Sequence, residues 1–403
     1  MGSYRLITPE GTKDYLFEEA VLRKNVENKL RDAFRFRGYH EVVTPSIEFL
    51  DVFDTNECGM PIEQMYKMVD AKGRLTVLRP DSTMPIARLC ATRLKKETMP
   101  LRLYYNQPVF SINPSLRGRS DEVLQAGIEL IGVTGKKSDL EVVVTAIKVL
   151  QDLKIENFRL ELGHIGLFNS LISQLNLSSS AKEEIRQMIE DKNYPALNDR
   201  LDELENQSCA SVIKMLPRLF GGQEVFRRAR DLMTDNETVK VLDYLEELYT
   251  SLSALGLKEK ITVDLGIVNR TDYYTGIVFK GYVEGYGEEV LSGGRYDGLL
   301  KEFGKDLGAI GFAVNIDSAV KALLNTKSHQ ISPVEVLVFA QPENQMKALE
   351  YIQRLAEVKI VTEYSLFDTI EETLDYAKEK GIHRIDMVGD EVKTIDLSFA
   401  GQS

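Results

Sequence analysis

Three groups of residues in this chain of 403 carry side chains able to hold a small charged ligand. Gln125 and Glu129 lie in the apolar run Leu124-Gln125-Ala126-Gly127-Ile128-Glu129-Leu130-Ile131-Gly132, which reads as a strand. Residues i and i+4 of a strand share a face. Two polar groups on one face of an otherwise apolar strand need partners, because burying a lone carboxylate is costly. A structural salt bridge or a bound cation would supply them. Asp81 and Thr83 end the segment Leu75-Thr76-Val77-Leu78-Arg79-Pro80-Asp81-Ser82-Thr83, beside a helical run from Met84 to Leu94. Asp81 or Ser82 would cap that helix, worth about 1 kcal/mol. The same carboxylate and hydroxyl can face an ammonium in a charge-assisted arrangement. Tyr273 and Tyr274 are neighbours, so in a strand one ring points into a pocket while the other packs behind it. The pair Gly293–Gly294 permits close approach of backbone to a ligand. The four histidines, His40, His164, His329 and His383, form no HExxH or ligand-like cluster. His164, at a strand end, is read as structural although an imidazole suits proton transfer.

The stretch Asp264–Gly298 must organise these groups. It holds three segments rich in β-branched and aromatic residues, IVNRTDYYT, GIVFKGYVEGYG and EEVLSGGRY, parted by Gly and acidic turns. That is the pattern of adjacent antiparallel strands. Upstream, Leu22, Val26, Leu30, Ala33 and Phe34 predict a helix over about Glu18–Arg37, and Gly38–Pro45 reads as a helix stop and a strand. Leu101–Val109 and Phe158–His164 read as further strands. Ser138-Asp139-Leu140-Glu141 should cap a helix running to about Leu153. From about 167 to 255 the pattern is helical, with Val241, Leu245 and Leu248 on one face and Arg227, Arg228 and Arg230 on a solvated one. Gly308–Ser318 is a strand running into a helix. Past the polar linker Lys327–Pro333, Val334–Ala340, Gln345–Ala356, Val358–Val361, Ile370–Lys380 and Ile385–Val388 alternate strand and helix, as in a small α/β domain.

Composition narrows the function classes. With 43% apolar and 28% charged residues the chain is an ordinary globular one, long enough for two or three domains. Cys58, Cys90 and Cys209 are far apart, without CxxC spacing, and are expected to be free thiols in a reducing compartment rather than zinc ligands. The N-terminus lacks a signal-peptide h-region, and there is no uncharged run of about 18 residues. A cytoplasmic protein with no membrane partner is expected. Fifty basic against 62 acidic residues give a net charge of −12, which weighs against a nucleic-acid partner without excluding a local basic patch.

Asp272-Tyr273-Tyr274-Thr275-Gly276, then Ser292-Gly293-Gly294-Arg295-Tyr296-Asp297-Gly298, then Gly308-Ala309-Ile310-Gly311-Phe312-Ala313 resemble, in order, the histidine-binding region of histidyl-tRNA synthetases and their non-synthetase relatives. The resemblance covers roughly residues 5 to 325 and is weaker after 330. It implies an α+β fold: a class II aminoacyl-tRNA synthetase-like antiparallel sheet flanked by helices, over 1–325, with a helical insertion at about 167–255. A small C-terminal α/β domain, 331–403, stands where the synthetases carry their anticodon-binding domain, although its segment Phe367–Glu372 is acidic. The N-terminal helix and strand are similar to class II motif 1, which implies a homodimer. Asp81 and Thr83 would hold the amino group of bound L-histidine, and Gln125, Glu129, Tyr273 and Tyr274 would complete a histidine-shaped pocket.

Where the synthetases hold ATP the chain departs from them. The motif 2 pattern Phe-Arg-x-Glu is here Phe110-Ser111-Ile112-Asn113, Arg119 survives in the loop, and the next basic position is Asp121. The Glu-Arg that ends motif 3 is Asp317-Ser318. The arginine before the tyrosine pair is Asn269, and the adjacent Arg270 would point to the other face of a strand. Each lost preorganised donor costs about 10²–10³ in rate, and arginine suits phosphate because its donors are fixed, bidentate and always charged. Adenylate chemistry is therefore not expected, and neither a cofactor nor a metal is implied. A chain that keeps the histidine pocket and loses the ATP arginines resembles the regulatory subunits of ATP phosphoribosyltransferase. That family implies a non-catalytic subunit that assembles with a short-form catalytic subunit, activates the first step of histidine biosynthesis and mediates feedback inhibition by histidine. An active histidyl-tRNA synthetase is the alternative, and a sensor of uncharged tRNA is a third reading.

Overall fold

The apolar spacing over Leu22, Val26, Leu30, Ala33 and Phe34 produces helix α1 (Phe17–Arg35), which buries all five. The structure, a computed structural model, describes residues 4–54, 60–113, 120–204, 208–268, 273–324 and 334–397. Cys58, Arg119, Asn269, Arg270, Asp272 and the linker 327–333 lie outside the described residues. The chain divides into two units, Met1–Lys327 and Ser328–Ser403.

In the first unit, α1 is followed by β1 (His40–Glu41), β2 (Ile47–Phe49), β3 (Lys67–Val69), β4 (Leu75–Leu78) and α2 (Thr83–Thr92). Next come β5 (Leu101–Phe110), β6 (Glu122–Ile131), α3 (Lys136–Asp152) and β7 (Phe158–His164). The insertion comprises α4 (Ile165–Ser173), α5 (Ser179–Glu190), α6 (Tyr194–Asp202), α7 (Ser208–Met215), β8 (Phe220–Gly221), α8 (Glu224–Arg230) and α9 (Asn236–Ala254). The chain returns through β9 (Ile261–Asp264), β10 (Ile277–Val283), β11 (Tyr286–Arg295), α10 (Leu299–Glu302), β12 (Ala309–Asn315) and α11 (Ile316–Leu324). Nine strands form one sheet in the order β1-β5-β6-β12-β11-β10-β7-β9-β8. Its pairings are antiparallel except β1 with β5 and β7 with β9.

Period-two alternation decides what each face of the sheet carries. Tyr104, Ile128, Leu130, Phe279, Ile310, Phe312 and Val314 join the helices in the main core. The opposite face carries Tyr105, Ile131, Tyr296 and Ala309, which pack with Tyr273 and α2 in a second cluster. Glu129, between Ile128 and Leu130, therefore belongs to the second face.

Four local readings differ from the structure. Gly135, not Ser138, stands at the N-cap of α3. Asp139 is instead fully buried and accepts from Arg295 (Nε, 2.9 Å) and from the Tyr244 hydroxyl. Of the segment IVNRTDYYT, the described residues 267–268 and 273–275 form no strand. Gly38–Pro45 yields a strand of two residues only, His40–Glu41. In the second unit the strand expected at Val358–Val361 begins at Thr362, because Lys359 turns the chain at φ 63°.

That second unit runs β13 (Val336–Phe339), α12 (Gln345–Glu357), β14 (Thr362–Tyr364), α13 (Ile370–Lys380), β15 (Arg384–Val388) and β16 (Val392–Asp396). Its sheet has the order β14-β13-β15-β16. Val336 and Val338 pack with α12, Leu337 and Phe339 with α13, so the helices cover opposite faces.

Arg295 ends β11 inside the protein, only 7% of its side chain exposed, against a wholly buried Asp139. It also donates to Ser138 Oγ (2.6 Å), Val133 O (3.1 Å) and Asp297 (3.0 Å). Removing one partner of a buried pair leaves an uncompensated charge, at about 3–5 kcal/mol. Asp139→Ala is expected to lower unfolding stability in urea by that amount, whereas an exposed pair such as Lys240–Glu237, tested as Glu237→Ala, should cost under about 1 kcal/mol.

Candidate functional site

The six residues singled out in the sequence, Asp81, Thr83, Gln125, Glu129, Tyr273 and Tyr274, all line one cavity of about 190 Å³. This is below the ~300–1,000 Å³ of pockets for drug-sized ligands and suits a molecule the size of one amino acid. Tyr105, Lys280, Glu289, Ser292 and Tyr296 complete its polar wall.

Glu129 is placed by register. It stands opposite Gly311 on β12, and Gly311 stands opposite Gly294 on β11. A Cβ at Gly311 would collide with Glu129 Oε2, and one at Gly294 would lie 2.7 Å from the Tyr274 ring. The two glycines keep the sheet bare where the carboxyl and the ring cross it. Thr83, the first residue of α2, donates its hydroxyl to Glu129 Oε1 at 2.8 Å, and the Tyr296 hydroxyl donates to Oε2. Asp81 accepts from the Met84 amide at 2.8 Å, so Asp81 caps α2. Ser82 does not; its hydroxyl accepts from Gln107 at 3.1 Å.

Burial dominates the electrostatics. It pushes the Glu129 carboxyl up to about 8, while the Tyr296 and Thr83 hydroxyls pull it down and the nearby Asp81 charge adds to the rise. Asp81 is also raised by burial, against the pull of the amides of residues 82–84. Burial raises the phenols of Tyr105, Tyr273 and Tyr296 well above the usual range, so they remain neutral donors. The Tyr273 ring meets Tyr274 edge-on at 4.8 Å and Tyr296 at 5.6 Å. Both adjacent tyrosines face the cavity, instead of one packing behind, because residues 273–275 form no strand and do not alternate.

Three carboxyls (Asp81, Glu129 and Glu289), the Gln125 carboxamide and several phenolic oxygens can hold a cation with hydrogen-bonding edges. Among the described residues no cluster of three or more His, Cys, Asp or Glu could bind a metal. His164 takes no part: its Nδ1 accepts from the Gly166 amide at 3.1 Å and caps α4, and burial lowers its imidazole to about 4. Lys280, Glu289 and Tyr105 escaped the sequence reading. The available signal was a lysine in the middle of the apolar segment Ile277–Val283.

The residues that flank Ser111 and Ser318, where the resemblance lacks its arginines, make internal contacts. Asn113 Nδ2 donates to Ser120 O and to Asp121 Oδ1, each at 3.1 Å, and Tyr66 donates to Asp121 Oδ2 at 2.5 Å. Asp317 accepts from Arg23 Nε at 2.8 Å and from the Leu124 amide at 2.9 Å. Arg79 is buried and donates to the carbonyls of Thr44 (2.6 Å) and Pro108 (2.7 Å). Among the described residues no helix is long and apolar enough to cross a membrane.

Residues 11–319 match the family model described as histidyl-tRNA synthetase. A Clostridium botulinum protein named ATP phosphoribosyltransferase regulatory subunit is 41% identical, over 95% of this chain and 92% of its own length. A Clostridium kluyveri protein of the same name is 40% identical, over 95% of this chain and 99% of its own. A solved structure from Bacillus halodurans, described as an ATP phosphoribosyltransferase regulatory subunit/histidyl-tRNA synthetase, superposes with a TM-score of 0.83 at 29% identity, covering 93% of this chain and 97% of that one. Histidyl-tRNA synthetase from Nostoc sp. shares the fold with a TM-score of 0.81 at 20% identity, covering 99% and 96% of the two chains.

The raised carboxyl gives a pH test. An unfolded glutamate titrates near 4.5 and folded Glu129 near 8, so the unfolded chain loses its proton first and folding stability falls from pH 4.5 to 8. At 1.36 kcal/mol per unit the full penalty is on the order of 5 kcal/mol. Glu129→Gln, which does not ionise, is expected to melt progressively higher than the parent as pH rises from about 5 to 9. A melting difference that stays flat with pH would contradict the burial account.

Proposed function

The chain belongs to the ATP phosphoribosyltransferase regulatory subunits, whose fold is that of histidyl-tRNA synthetases, and from that premise we propose that it is a non-catalytic subunit that activates a short-form catalytic subunit and conveys inhibition by L-histidine. The carrying observation is the cavity around Glu129, in which a buried carboxyl, Asp81 and Thr83 await a cation. Histidine offers an ammonium to Asp81 and Thr83, and an imidazole N–H to Glu129. Its bound charge would draw the Glu129 proton off, turning a costly buried group into an ion pair. Histidine regulates only if it binds one state of the assembly better than another.

An active synthetase is the less favoured reading, because Ser111, Asn113, Asp317 and Ser318 offer no cation to a triphosphate, and Asn113 and Asp317 are engaged internally. Exposed apolar side chains at the N-terminal end, Phe17 (79%), Val43 (76%) and Ile47 (53%), support a homodimer through this region. Buried free thiols at Cys90 and Cys209 agree with a cytoplasmic setting. The C-terminal unit is given no nucleic-acid partner.

The test is phosphoribosyl transfer to ATP by a verified cognate short-form subunit, with and without this chain. Activation reversed by histidine is expected, and Glu129→Ala should raise the histidine needed by roughly 10- to 100-fold while activation persists. No activation would sink the proposal. Histidine-dependent pyrophosphate exchange by the chain alone would instead favour the synthetase. In solution the chain should sediment at twice its monomer mass, and Phe17→Glu should shift it toward the monomer.

A further inference from the structure

Lys280 is the one cationic side chain lining the cavity among the described residues. Its position follows from register. Lys280 on β10 stands opposite Ser292 on β11, one pleat along from Val278 opposite Gly294. It therefore lies on the glycine-bared face that carries Glu129, about 7 Å further along the strands and three strand spacings of about 4.8 Å across. Both side chains line the same cavity, from opposite ends.

The partner of Lys280 is placed by an irregularity. The β10–β11 register shifts between Gly281 and Tyr282, so Leu291 opposes Gly281 while Glu289 opposes Tyr282. The extra residue is Val290, and Val290 and Leu291 both enter the main core. In an unbroken ladder Val290 would face the cavity and Glu289 the core. The bulge turns Glu289 onto the face of Lys280, the re-aiming of a side chain that bulges accomplish. The resulting contact is loose: Lys280 Nζ lies 3.6 Å from Glu289 Oε2, beyond hydrogen-bond length. The Glu289 side chain is 44% exposed and that of Lys280 only 23%. Glu161, opposite Lys280 on β7, and Asp264 also lie within the field of Lys280, and Glu289 is the solvent-facing counter-ion that can leave.

We propose that Lys280 anchors the α-carboxylate of an amino-acid ligand, and that Glu289 is the counter-ion which this carboxylate displaces. This rests on the histidine reading above and deepens it. Asp81 and Glu129 can satisfy an amine and a ring but repel a carboxylate, so a zwitterion needs a cation at the far end. Lys280 makes the pocket select amino acids over the corresponding amines.

The test compares L-histidine with histamine, which lacks only the carboxylate, by calorimetry on the full-length protein and its variants. The parent should prefer histidine. Lys280→Met should weaken histidine by about 10- to 100-fold, the worth of a charge-assisted hydrogen bond, and leave histamine unchanged or tighter. Glu289→Gln should tighten histidine and not histamine. Equal losses for both ligands, or an unchanged histidine affinity, in Lys280→Met would overturn the proposal. Should that variant not fold, Glu289→Gln carries the test, and an unchanged preference there overturns it. Failure of the parent to bind histidine would strike the pocket reading itself, a result distinct from failure of Lys280 alone.

Discussion

A carboxyl taken out of water is the constraint around which this site is built. Glu129 sits on the central strands of the large sheet, where side chains normally pack against apolar neighbours, and it is tolerated because three neighbours are adapted to it. Gly311 leaves it room, while Thr83 and Tyr296 give it hydrogen bonds. Those partners come from α2, β12 and the residue after β11, so the group that is costly to bury also sets how the elements must meet. Arg295 and Asp139 fix the last of these, anchoring the end of β11 to the start of α3 so that Tyr296 is delivered to the carboxyl.

Two regions of the first unit contrast in how their polar groups are used. Around Glu129 the polar groups point into a cavity. Around Asn113, Asp121 and Asp317 they point at one another, at Tyr66, Arg23 and backbone amides. Open donors and acceptors are thus gathered around Glu129.

Much of this was legible in the sequence because strand alternation is strict. Gln125 and Glu129 had to share a face, and Asp81 with Thr83 had to arrive at a helix start. What failed depended on contacts distant in sequence. Ser138 and Asp139 look like a local cap, yet Asp139 is claimed by Arg295, more than 150 positions away. Tyr273 and Tyr274 were assigned by an alternation that needs a strand, and residues 273–275 form none. Glu289 could not be placed, since one bulged residue inverts every later face, and only the paired strand reveals it.

Asp317 carries a consequence for any attempt to restore nucleotide chemistry to the chain. Its two oxygens bind Arg23 of α1 and the amide of Leu124 at the start of β6, so the residue serves as a peg between helix and sheet. Putting arginines back at 111 and 318 would supply phosphate donors but leave that peg and the Asn113–Asp121 clasp in place. The clasp and the peg would have to be undone together, and each step alone would weaken folding before any catalysis returned. Reinstating nucleotide chemistry in this chain is therefore a folding problem as well as a catalytic one, since the contacts of Asn113 and Asp317 also hold elements together.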